Sequence, residues 1–146
     1  MKNTVKLFLL TIILLSAYRF TNSYSQDYSI AGTWERNSTD DDLAGARVEV
    51  TTTDNITFTG KITIVTQEMK AYCYETGDVK WFNVTKKPNG LYEMDDLTKS
   101  RNCSPSRSSK SIRFTDENTI NITALSIEPN TGENFQVWTR VIEGVK

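Results

Sequence analysis

Histidine is absent from all 146 residues, and cysteine occurs twice, at Cys73 and Cys103. Without an imidazole, neither a Ser-His-Asp nor a Cys-His nucleophilic system can be assembled. A zinc site built on the two cysteines would need its other ligands from elsewhere. The chain has no phosphate-cradling glycine loop, no Gly-X-Gly-X-X-Gly and no Cys-X-X-Cys. Carboxylates are plentiful, but glycoside hydrolysis needs two at a set separation with one desolvated, and nothing in the chain singles out a pair. The chain is therefore expected not to be an enzyme and to use no cofactor. Long apolar runs are also missing, with one exception near the start.

That exception spans Leu7–Ala17, about half of the roughly 20 residues a membrane-crossing helix needs. Lys2 and Lys6 precede it, and the polar stretch Thr21–Gln26 follows. A charged start, a short apolar core and small residues at Ser23 and Ser25 read as a signal peptide, residues 1–25, cut before Gln26. The expected destination is secreted or periplasmic, with no stable membrane insertion. Loss of Lys2, Lys6 and Arg19 would take the 17 basic residues to 14 against 18 acidic, a net charge of −4. No basic stripe remains to hold a polyanion, so nucleic acid is not an expected partner. Residues 26–146 are long enough for one core and too short for two.

In an oxidising compartment, a Cys73–Cys103 disulfide is expected. It would close a loop of about 30 residues and contribute about 3–4 kcal/mol on chain-entropy grounds.

From residue 30 onward the chain alternates short apolar-polar runs with turn residues. The longest is Ile56, Phe58, Gly60, Ile62 and Ile64, interleaved with Thr57, Thr59, Lys61 and Thr63. A period of two sustained this long marks a strand, with Gly60 at a bend or bulge. Further strands are predicted at Ile30–Trp34, Val48–Val50, Val79–Thr85, Leu91–Met94, Ser111–Phe114, Thr119–Leu125 and Phe135–Ile142. Pro88–Asn89–Gly90 supplies a hairpin turn. The stretch Thr98–Lys110 reads as a loop, and Ile64–Cys73 holds at most one helical turn. Eight short antiparallel strands suit a barrel or a sandwich. The short connections favour an all-β, up-and-down barrel, whose closure removes exposed edges.

Gly32–Thr33–Trp34 opens the first strand and Arg140 lies near the end of the last. In a meander barrel those strands are neighbours, so Arg140 can stack on Trp34. With these residues the chain resembles the lipocalin-like, or calycin, superfamily, and more closely its small bacterial exported members. It departs from typical secreted lipocalins in leaving no room for a helix before the last strand. The resemblance implies an up-and-down barrel with a cavity for a small apolar ligand. Ile56, Phe58, Ile62, Ile64, Ile120, Ile122, Phe135 and Val137 are expected to point inward. Phe58, Ile62, Trp81, Tyr92, Ile122 and Phe135 are the candidate ligand-binding residues. Gly32, Trp34, Arg140, Cys73 and Cys103 are the structural ones.

A second cluster, Tyr74, Trp81 and Tyr92 with Asp78, Glu93 and Asp95, offers an aromatic groove for a sugar ring, against the alternative of core aromatics beside a solvated turn. Asp40–Asp41–Asp42 matches no calcium-loop spacing and reads as a solvated acidic turn, so no metal is expected. Asn-X-Ser/Thr sequons occur at Asn37, Asn55, Asn83, Asn102 and Asn121. They matter only if the source glycosylates such sites. The leading functional expectation is a barrel that binds a small hydrophobic or amphipathic molecule. The alternatives are an envelope-associated protein-interaction domain with a filled core, and a carbohydrate-binding module. Fold alone does not choose among them.

Overall fold

The computed structural model describes residues 27–37, 43–125 and 136–142. Eight strands form a closed antiparallel barrel in chain order: β1 (Gly32–Asn37), β2 (Arg47–Thr52), β3 (Thr57–Ile64), β4 (Val79–Lys86), β5 (Tyr92–Lys99), β6 (Pro105–Asp116), β7 (Thr119–Ala124) and β8 (Gln136–Arg140). Closure is made by β1 on β8, with Trp34 opposite Arg140 and Arg36 opposite Trp138. One short helix, α1 (Gln67–Ala71), interrupts the series. Thr66 caps it by accepting from the Met69 backbone N–H at 3.2 Å. The predicted signal peptide and its cut lie outside the described residues, as do Asp40–Asp42 and Phe135. No helix among the described residues is long and apolar enough to cross a membrane.

Two predicted segments are corrected. Thr98–Lys110 is not a loop. β5 runs to Lys99 and β6 begins at Pro105, paired through Thr98 to Ser106 and Lys99 to Pro105. Residues 105–109 are exposed on both faces, so no apolar alternation reveals the strand. Backbone pairing holds it, with Arg107 over the Phe82 ring at 3.7 Å and Ser109 donating to Asp95 at 3.1 Å, next to a tight turn where Cys103 N–H donates to Ser100 O at 2.8 Å. The Cys73–Cys103 disulfide ties this turn to the segment after α1, with Cα atoms 5.4 Å apart.

The inward face is the second correction. Phe58, Ile62, Ile120 and Ile122 are buried as expected, but Ile56 is 70% exposed and Ile64 42%. Both lie at the margins of β3, beyond the walls that would cover them. In β8 the inward residue is Trp138, and Val137 takes the other face of the pleat. In β4, Trp81 and Val84 both point inward, because the ladder with β5 shifts between Phe82 and Thr85 and Asn83 adopts φ 52°. That bulge breaks the two-residue period on which a sequence reading depends.

Three tryptophans crowd the centre. Trp34, Trp81 and Trp138 are all fully buried, and the last two meet edge-to-face at 4.9 Å. Gly60 makes room for Trp81. A Cβ there would sit 2.8 Å from Val48 Cγ1 and 3.0 Å from Trp81 Cβ. The β3–β4 register shifts on both sides of this residue. Gly60→Ala is expected to destabilise the barrel by about 1–3 kcal/mol through overpacking, measured by urea unfolding.

Candidate functional site

Because the barrel is a meander, β1, β3, β5 and β7 all start at one end. Arg140 closes that end. Its guanidinium lies 4.3 Å from the Trp34 ring and donates to the carbonyls of Ala31 at 2.6 Å and Ser29 at 2.7 Å. Trp34 Nε1 donates to the Ile30 carbonyl at 2.8 Å. Gly32 is required here, since its backbone adopts φ 126° and a Cβ would lie 2.6 Å from the Arg140 guanidinium. Gly32, Trp34 and Arg140 thus form one latch that holds residues 28–31 across the barrel end. Tyr92 fastens the same segment by donating from its hydroxyl to the Tyr28 carbonyl at 3.2 Å. Burial pushes the Tyr92 phenol up.

Beside the latch opens a cleft of about 500 Å³, lined by Tyr28, Ala31, Ile56, Phe58, Lys86 and Tyr92 among others. Phe58 and Tyr92 meet edge-to-face at 6.2 Å and form its apolar floor. Ile56 stands at the rim because the β2–β3 turn is rigidly built. Asp54 accepts from the backbone N–H of Thr57 at 2.8 Å and of Ile56 at 2.9 Å. Those bonds hold its carboxyl below the usual value. Lys86 forms an ion pair with Asp27 and lies 5.7 Å from the Tyr92 ring.

The opposite end is polar inside. Lys80 and Asp96, 5% and 1% exposed, form an ion pair at 2.6 Å. Lys80 Nζ also donates to the Leu97 carbonyl, and Tyr74 donates to the same oxygen at 3.1 Å. Burial pulls the Lys80 amine below its usual value and pushes the Asp96 carboxyl above its own, outweighing the attraction between them. Among the described residues neither Asp96 Oδ2 nor Trp81 Nε1 has a hydrogen-bond partner. Such a pair is a recognised mark of functional sites and also of structural networks. Here Tyr74 lies against it, with Lys80 Nζ 5.6 Å from the Tyr74 ring.

Of the six candidate ligand residues, the five that are described separate. Phe58 and Tyr92 line the cleft, while Ile62, Trp81 and Ile122 are packed in the interior. The residues of the aromatic cluster are not gathered on one exposed face. Trp81 and Tyr92 face inward, and the acids are engaged: Asp78 with Lys99 at 2.6 Å, Glu93 with Lys87 at 3.0 Å and Asp95 with Ser109 at 3.1 Å. Burial works against the charge on Asp78, but Lys99 and the Glu75 N–H prevail and hold its carboxyl below the usual value. Among the described residues no group of Cys, Asp and Glu is arranged to hold a metal ion.

Sequence reasoning missed Lys80, Asp96, Lys86 and Tyr28. Lys80 falls between Val79 and Trp81 and reads as the solvent side of a strand. Only Asp96 carried a signal, since it shares the parity of Tyr92 and Met94. In comparisons with known proteins the chain matches no protein-family model, and neither a curated protein nor a solved structure matches it significantly. The eight-stranded antiparallel barrel itself is compatible with a lipocalin-like fold.

Proposed function

We propose that the protein is an exported, non-enzymatic, lipocalin-like barrel that binds a small hydrophobic or amphipathic molecule in the cleft at the Arg140 end. The observation that carries the reading is the cleft of about 500 Å³ with Phe58 and Tyr92 as its floor. Its size falls in the usual range for small-molecule sites, and it pairs apolar rings with a few polar groups. The chain's start supports export, and the Cys73–Cys103 disulfide is consistent with an extracellular or periplasmic setting. The edge-to-face contact of buried Trp81 and Trp138 supports a site at the barrel's end over one on its axis.

The same crowded centre favours a second reading, a structural or envelope-associated domain that meets a protein partner. Titration with an uncharged fluorescent naphthylamine probe separates the two. Saturation near one-to-one is expected. Thr85→Trp, at a half-buried position lining the cleft, should abolish the signal without lowering the unfolding midpoint. Saturating probe with no signal would overturn the ligand reading and leave the partner-binding one.

A further inference from the structure

A second, smaller cleft of about 240 Å³ adjoins the first, lined by Tyr28, Lys86, Asn89, Gly90, Leu91, Arg113 and Phe114. Tyr28 and Lys86 line both clefts, so they form the partition between them. The two spaces differ in chemistry. The larger offers Ile56, Phe58 and Tyr92. The smaller offers the cations Lys86 and Arg113 and has no carboxylate in its lining. Its wall is the Tyr28–Phe114 ring pair, with centroids 5.4 Å apart.

Resting on the ligand reading above, we infer that the molecule bound is an acidic amphipath. Its apolar arm lies on Phe58 and Tyr92, and its anionic head lies between Lys86 and Arg113. Charge complementarity carries this assignment. Arg113 makes no ion pair with a described residue, and Glu93 on the neighbouring strand is already taken by Lys87 at 3.0 Å. Lys86 is held by Asp27, whose side chain is 83% exposed. An exposed carboxylate is a weakly held partner that a ligand anion can replace. A guanidinium presents paired N–H donors to a carboxylate or sulfonate, and charge-assisted bonds of this kind are the stronger ones. An uncharged ligand gains nothing from either cation, and a cationic one is repelled by both.

The test uses two dyes that share a ring system. Anilinonaphthalene sulfonate carries the anionic head, and phenylnaphthylamine lacks it. The wild-type protein should bind the sulfonate more tightly, and its affinity should fall with added salt. Arg113→Gln and Lys86→Gln should each weaken the sulfonate about tenfold, as expected for one charged hydrogen bond. Arg113→Gln, at a residue that lines only the smaller cleft, should leave phenylnaphthylamine within about twofold. Dodecanoate should displace either dye better than dodecanol does. Equal wild-type affinity for the two dyes, or an Arg113→Gln variant that weakens both alike, would overturn the acidic-head assignment while the cleft reading stands. If neither dye binds, the cleft reading itself fails.

Discussion

Replacing Lys80 with methionine is expected to destabilise the protein by about 3–5 kcal/mol at neutral pH, the range for removing one partner of a buried ion pair. The loss arises mainly from leaving Asp96, 1% exposed, as an uncompensated buried charge. The pH dependence of the variant has a definite sign. Burial already pushes the Asp96 carboxyl above its usual value, and removal of Lys80 takes away the chief opposing influence. A carboxyl whose folded value lies above its unfolded one loses stability as pH rises between the two. Lys80→Met should therefore become more stable on acidification from neutral towards the ordinary carboxylate range. Replacing both partners, Lys80→Met with Asp96→Leu, should recover most of the loss, because apolar substitutes for a buried pair are often neutral or better. Urea unfolding of the three proteins across that pH range is the measurement. A single variant as stable as wild type, or one that weakens on acidification, would refute the buried-charge explanation.

Trp34→Ala is expected to remove about 3–5 kcal/mol, the usual range for truncating a fully buried large aromatic. Three structural features depend on this ring. Phe114 packs on it edge-on at 5.8 Å, the Arg140 guanidinium stacks on it at 4.3 Å, and its Nε1 holds the Ile30 carbonyl. Without it, Arg140 loses its stacked face and residues 28–31 lose a tether, so the cleft beside them should lose its shape. Equilibrium denaturation should show the stability change, and the uncharged probe should show weakened binding. A loss under about 1 kcal/mol would contradict the role given to Trp34, because buried aromatics rarely cost so little.

The architecture was legible because its signals are local. Alternation in β3, the turn at Pro88–Gly90, and the pairing of Gly32–Trp34 with Arg140 each follow from residue types at short spacing. The Trp34–Arg140 contact and the Gly60 irregularity are both present in the structure. What was hidden lies where the period breaks or where no period exists. The β3–β4 register shift between Gly60 and Lys61 leaves Lys80 as an extra residue beside Trp81, and both are buried, which no reading of alternate residues can foresee. The upper part of β6 is polar on both faces, so its strand exists only through its neighbour. The candidate site was half legible. Phe58 and Tyr92 follow from apolar patterning, whereas Lys86 and Arg113 join them through pairing of β4 and β6 with β5, and Tyr28 through the end segment held across the barrel. Such long-range contacts leave no mark on a single sequence.

Protein purified from its native source and solved at high resolution offers the most direct test. Bound density is expected in the cleft against Phe58 and Tyr92, with its polar end towards Lys86, while Trp81 and Trp138 remain in edge-to-face contact. Density along the barrel axis with those two rings parted, or an empty cleft in crystals saturated with anilinonaphthalene sulfonate, would contradict an end-binding barrel.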